Sequence, residues 1–170
     1  CNFGYDYSDV FHYMKYNLNN VGDPFTGTNY SLNTMTIEKE VLQFFANLWG
    51  VRKEHWGYIT FSGTEGNMEG LLIGRERFPN GVLYTSDQSH YSIFKIVKLF
   101  KMDVVKIPTT PNGEMDYVEF ENIIDKNRPA IINANIGTTM KGAVDDVDKI
   151  VEVLKKHKVK YHLHADGALM

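Results

Sequence analysis

From Trp56 onward, short apolar runs alternate with amphipathic stretches, and this alternation confines the chain to α/β folds in which crossover helices cover a mostly parallel sheet. Trp56–Phe61, Gly81–Tyr84, Asp103–Ile107, Ala130–Ala134 and Lys160–His164 read as strands. Thr64–Phe78, His90–Lys101, Asp116–Lys126 and Asp145–Lys156 read as the helices between them. Pro108, Pro111, Asn112–Gly113 and Pro129 fall at the joints, where fixed or left-handed backbone angles are needed.

The first third is different. Asp9–Leu18 and Ile37–Trp49 have helical spacing, with Gly50 as a helix stop, while Asn19–Asn33 is rich in Asn, Gly, Thr and Tyr and has no period. A long irregular segment inside a compact domain is more often functional than idle. Residues 1–50 are therefore expected as a helical and loop segment, and 51–170 as the sheet domain. The chain starts at Cys1 rather than Met, and Met170 follows directly on a strand and turn, so we expect an internal piece of a longer polypeptide, incomplete at both ends.

A net charge of -3, from 18 basic and 21 acidic residues interspersed, argues against a nucleic-acid footprint or a polybasic membrane patch. The single cysteine, Cys1, allows no intrachain disulfide and favours a reducing, cytoplasmic setting. No apolar run reaches the roughly 18 residues of a membrane span, and no signal-peptide pattern is present.

Three loops and one strand carry candidate chemistry. Ser62–Asn67 joins a strand to a helix, so the backbone N–H groups of the first turn, with the Thr64 hydroxyl, can meet an anion; a plain helix cap followed by tight packing reads the same. The spacing is neither a dinucleotide fingerprint nor a Walker loop. Gly66, Gly70 and Gly74 recur every four residues, each costing about 1 kcal/mol relative to alanine, which implies a close neighbour. His90 in Ser86–Ser92 opens a helix near the same carboxyl edge of the sheet, as either a ligand contact or a capping group. Asn135–Gly142 follows a strand, and its paired hydroxyls suit a loop that touches a ligand or an ordinary polar turn; Lys141 there reads as a solvent lysine. His162, His164 and Asp166 alternate along a strand and so share one face. Together they could ligate a metal, but no further His-rich cluster completes a set, and no metal is expected.

Taken in order, Ser62-Gly-Thr-Glu-Gly-Asn67, Ser89-His-Tyr-Ser92, Asn135-Ile-Gly-Thr-Thr139 and His164-Ala-Asp-Gly-Ala168 resemble the pyridoxal-phosphate-dependent group II amino-acid decarboxylases, and within them the histidine decarboxylases of bacteria and the serine decarboxylases of plants. The resemblance extends to Asn19–Pro24 and Trp56–Tyr58, and so over nearly the whole chain. It implies the large domain of fold-type I enzymes, with residues 1–50 contributing to the substrate site and 51–170 binding pyridoxal 5'-phosphate. By position, Gly63 and Thr64 would hold the phosphate, His90 would stack on the pyridine ring and meet the substrate, and Thr139 would lie beside the ring hydroxyl and substrate. Asp166 would pair with the ring nitrogen, and Ala168 would pack on the opposite ring face. The implied catalytic residues are His90, Thr139 and Asp166. The Schiff-base lysine of the family lies downstream of the aspartate, beyond Met170, and none of Lys95, Lys98, Lys101 or Lys141 occupies its place, so the chain as given is expected to be inactive. The expectation for the full-length protein is a homodimeric decarboxylase acting on histidine, with serine as the alternative substrate and a catalytically silent binding protein of the same fold as the alternative function.

Overall fold

Four of the five apolar runs pair as strands. In the computed structural model, which describes residues 4, 6–51 and 54–169, these are β1 (Val82–Ser86), β2 (Asp103–Ile107), β3 (Ala130–Asn135) and β4 (Tyr161–Asp166), all parallel in the order β2-β1-β3-β4. The helices are α1 (Ser8–Phe11), α2 (Met35–Leu48), α3 (Gly63–Arg77), α4 (Tyr91–Phe100), α5 (Tyr117–Ile123) and α6 (Val147–Lys156). The expected parallel α/β architecture is thus present. Cys1 and Met170, which carried the readings on thiol content and chain ends, lie outside the described residues.

Every residue of β1 and β3 is buried, as expected of central strands covered on both faces. Side-chain alternation divides the core. Val82, Tyr84 and Ile132 face α5 and α6, where Phe120, Ile150 and Leu154 are almost fully buried. Leu83 and Ile131 face α3 and α4, packing on Leu71, Ile93 and Ile96. Each such side chain contributes on the order of 1.5–3 kcal/mol by leaving water. On the α3 side β1 and β3 turn polar toward their carboxyl ends, Leu83 giving way to Thr85 and Ile131 to Asn133 and Asn135, beside a β4 face that is polar throughout, His162, His164 and Asp166. That change of character opens the site.

Helix starts follow local chemistry. Asp116 accepts from the N–H groups of Val118 and Glu119, and Asp146 from that of Lys149. At α3 the Ser62 side chain makes no cap; instead Glu65 reaches back to the Phe61 N–H at 2.6 Å.

Two elements depart from the sequence reading. Trp56–Phe61 is not a strand: it enters no ladder among the described residues, Phe61 is 100% exposed, and two of its N–H groups go to carboxylates, Ile59 to Glu38 and Phe61 to Glu65. Aromatic content alone mimicked a strand there. The helix expected over Asp9–Leu18 shrinks to α1, which buries none of its residues; without a surface to cover, so short a helix gains little.

The chain divides into two compact units, Cys1–Ile59 and Thr60–Met170. Within the first, α2 ends as expected at Gly50, whose φ of 67° closes the helix through its N–H to Asn47. The irregular segment before α2 is pinned rather than loose. The Asn20 amide bonds Thr34 and Glu38, and the Trp56 indole donates to Asp23 at 2.8 Å. Among the described residues, no helix is long and apolar enough to cross a membrane.

Candidate active site

Within the second unit, the carboxyl ends of β3 and β4 and the first turn of α3 border one cavity of about 220 Å³. Gly63 and Thr64 line it from α3, His90 from the turn before α4, Thr139 from the loop after β3, and Asp166 and Ala168 from the end of β4. All six residues singled out in the sequence therefore meet at one place. Thr139 is exposed, whereas Asp166 is 9% exposed.

Asp166 accepts on both oxygens, from the Asn67 side-chain amide at 2.9 Å and from the Ala168 N–H at 3.3 Å. Ala168 in turn lies so near Gly63 that a Cβ at residue 63 would stand 2.8 Å from its methyl. His90 caps α4: its Nδ1 accepts from the Ser92 N–H at 3.3 Å and lies 2.8 Å from the Ser92 hydroxyl. Its ring plane is thus fixed by its own helix.

The loop after β3 is built to hold Thr139 out. Thr138 is buried, accepts from the Ala143 N–H on its hydroxyl and from the Gly142 N–H on its carbonyl, and so closes residues 138–143 into a tight turn. Beneath it, buried Asp145 accepts from the N–H and side-chain amide of Asn135 and from the Met115 N–H. Burial pushes its carboxyl up from the usual value, and those donors partly offset the effect. Lys141 donates to the Pro111 carbonyl and is exposed, as its sequence context implied.

The glycine stripe has a different register from the one read in the sequence. Gly70 lies against the His164 ring and Gly74 against His162 and Ile131, close enough that a Cβ at either would collide. At Gly66 a Cβ would meet nothing nearer than 3.8 Å. The sheet-facing line is Gly63, Asn67, Gly70, Gly74. His162 and His164 do share a face with Asp166, and each spends Nε2 on α3: His162 on the Gly70 carbonyl at 2.9 Å, His164 on the Asn67 carbonyl oxygen at 2.8 Å. Burial holds both imidazoles below their usual pKa. Among the described residues, no group of three metal-ligating side chains converges.

Asn67 is what the sequence reading missed. It is 3% exposed and bonds Asp166, Ser92 and His164. Its signal was positional: four residues after Gly63 and three after Thr64, it shares their helix face.

A cavity that offers a helix N-terminus and a fixed carboxylate suits a ligand with an anionic group and a cationic ring nitrogen. Three relatives and one family model are similar to the chain. Rice (Oryza sativa subsp. japonica) serine decarboxylase 2 is 49% identical over 99% of this chain and 37% of its own length. The histidine decarboxylase of Morganella morganii is 46% identical over 97% of this chain and 45% of its own. The crystal structure of L-methionine decarboxylase from Streptomyces sp. 590, in its internal aldimine form, matches with a TM-score of 0.81 at 26% identity, over 95% of this chain and 48% of that one. The chain spans less than half the length of these relatives. Residues 25–169 match the pyridoxal-dependent decarboxylase conserved domain, and the chain belongs to that family.

Proposed function

We propose that this chain is part of an enzyme that decarboxylates an L-amino acid with pyridoxal 5'-phosphate, histidine being the first substrate. The observation that carries the reading is the convergence of the α3 N-terminus, His90 and the fixed Asp166 carboxylate on one cavity. The residues fit the cofactor: first-turn N–H groups for its phosphate, a carboxylate for its ring nitrogen, and a close Gly63–Ala168 approach that leaves a methyl surface against which a flat ring can lie.

Bound there, pyridoxal phosphate supplies a sink for the electron pair left on the α-carbon when carbon dioxide departs. Asp166, anchored on both oxygens, keeps a proton on the ring nitrogen by presenting its negative charge to it. Gly63 and Thr64 bind the phosphate through the helix terminus, to which the macrodipole adds. His90 and Ala168, which line the cavity, would hold the ring between them and so orient a substrate joined to it. Thr139 offers a hydroxyl to the ring oxygen and the substrate from the exposed side of its turn.

Serine is the second reading, favoured by the 49% identity to rice serine decarboxylase 2. On this proposal the full-length protein is a cytoplasmic homodimer. Support for the dimer comes from Ile37, Phe44, Leu48 and Trp49, large apolar side chains of α2 and its cap that stay exposed, as in surfaces covered between copies. Size-exclusion chromatography that gave a monomer would remove that part.

The test is full-length protein purified with pyridoxal phosphate, reduced with borohydride, and assayed for carbon dioxide release from histidine and serine. Cofactor retained covalently after reduction, with histamine as product, is the expected result. Ethanolamine instead would establish the second reading. Cofactor bound without release of carbon dioxide from any amino acid would overturn the proposal.

A further inference from the structure

The hydrogen bonds around Asn67 have a direction. Asp166, as a carboxylate, can only accept, so the Asn67 group 2.9 Å from it is the NH2 end of the amide. The second N–H of that group donates to the Ser92 hydroxyl at 3.1 Å. The opposite end of the amide is therefore a carbonyl oxygen, and His164 Nε2, 2.8 Å away, carries the proton. Ser92 Oγ, having accepted from Asn67, sends its own proton to His90 Nδ1 at 2.8 Å, and the Ser92 N–H points to the same nitrogen at 3.3 Å. A ring nitrogen that accepts from both carries no proton, so neutral His90 holds its proton on Nε2. Asn67 is 3% and Ser92 0% exposed, which keeps bulk water from competing for these bonds.

The geometry points to Asn67 as the positioning residue that ties the two cofactor-facing groups, the Asp166 carboxylate and the His90 ring, into one directed chain that fixes the rotation of the first and the tautomer of the second. This rests on the cofactor reading above. Asn67 acts through Asp166 and through Ser92, so it is a positioning and not a catalytic residue. Removing its amide takes the side-chain donor from Asp166, takes the acceptor from His164, and frees the Ser92 hydroxyl to turn away from His90.

Two readouts on the full-length protein test it. Histidine-ring nitrogen NMR of the cofactor-free protein should show the proton on Nε2 in both His90 and His164. In Asn67→Leu, which approximates the shape but has no polar atoms, the His90 pattern should become a mixture of tautomers. Pyridoxal phosphate affinity, followed by absorbance, should weaken by about 10–100-fold in that variant, the usual cost of losing a group that orients a ligand-binding side chain. Asn67→Asp, which keeps the shape but sets a second carboxylate against Asp166, should weaken it as much and serves if the leucine variant does not fold. Ser92→Ala should release the His90 tautomer while leaving the His164 pattern unchanged. A proton on His90 Nδ1 in the wild type, or cofactor affinity within about two-fold of wild type in both Asn67 variants, far short of the usual loss, overturns the inference. Wild-type protein that binds no cofactor overturns the proposed function instead, and the tautomer pattern still decides this one.

Discussion

A methyl group at residue 70 would collide with the His164 imidazole, whereas one at residue 66 would meet ordinary contact at 3.8 Å. Two glycines on one helix therefore make opposite predictions. Gly70→Ala should destabilise the protein by about 1–3 kcal/mol, because ring and helix must part. Gly66→Ala should stabilise it by up to about 1 kcal/mol, through helix propensity and the less flexible unfolded chain. Urea midpoints of the two variants check both signs. Asp166 is a residue of another kind, since its value lies in its charge. Asp166→Asn in the full-length enzyme should lower kcat by roughly 10²–10³-fold, the scale on which a fixed electrostatic group usually acts. Steady-state kinetics at saturating pyridoxal phosphate measure it, and an unchanged kcat would remove Asp166 from the proposed machinery.

Between elements, polar ties set the geometry that apolar packing leaves open. The Tyr117 hydroxyl at the start of α5 accepts from the Asp146 N–H at the start of α6, at 2.6 Å. Burial pushes that phenol up to about 12. Tyr117→Phe strands the N–H and should cost about 0.5–1.5 kcal/mol in a denaturant titration. The strands β1 to β3 were legible in the sequence because β-branched runs with proline, glycine or asparagine at their ends leave few alternatives, and β4, which has no β-branched residue, because it follows a fourth amphipathic helix in the same alternation. Trp56–Phe61 was not, since a strand exists only where another strand accepts it, and a run of aromatics says nothing about that. The same reason hid Asn67. Its three partners lie 25, 97 and 99 positions away, and a helical asparagine reads as a surface residue until the opposite strand is in place. The meeting of His90, Thr139 and Asp166 was legible because the first two lie in loops that follow strands and the third ends one, and parallel strands bring these points to one edge.

Across the whole molecule, pH reaches stability through the strand that borders the site. His162 and His164 are both depressed, by burial first, below their ordinary value of 6.5. The unfolded chain therefore binds protons that the folded chain refuses. Stability is fully present above 6.5 and is lost as pH falls through that value toward the depressed folded pKa. Urea midpoints should drop between neutral and mildly acid pH. The drop should shrink in His162→Gln, whose amide can still donate to the Gly70 carbonyl. An equal drop in the variant would assign the acid sensitivity elsewhere.

Synthesis on the ribosome meets the parallel order of this sheet as a delay. Helix α3 holds four glycines and a buried asparagine, so it is a weak helix by itself, and the strand that covers it is separated from it by three other strands and three helices. Asn67 and Asp166 are 99 residues apart, an interval of about 5–20 s at ordinary translation rates. Until β4 arrives, Asn67 of α3 lacks two of its three partners, Asp166 and His164, the glycine line lacks its histidine rings, and the emerging chain has no complete cavity to offer. Amide protection in α3 should therefore appear together with that of β4 in pulse-labelled refolding. Assembly of this cavity therefore waits on β4, and a ligand would find no complete site to enter before it.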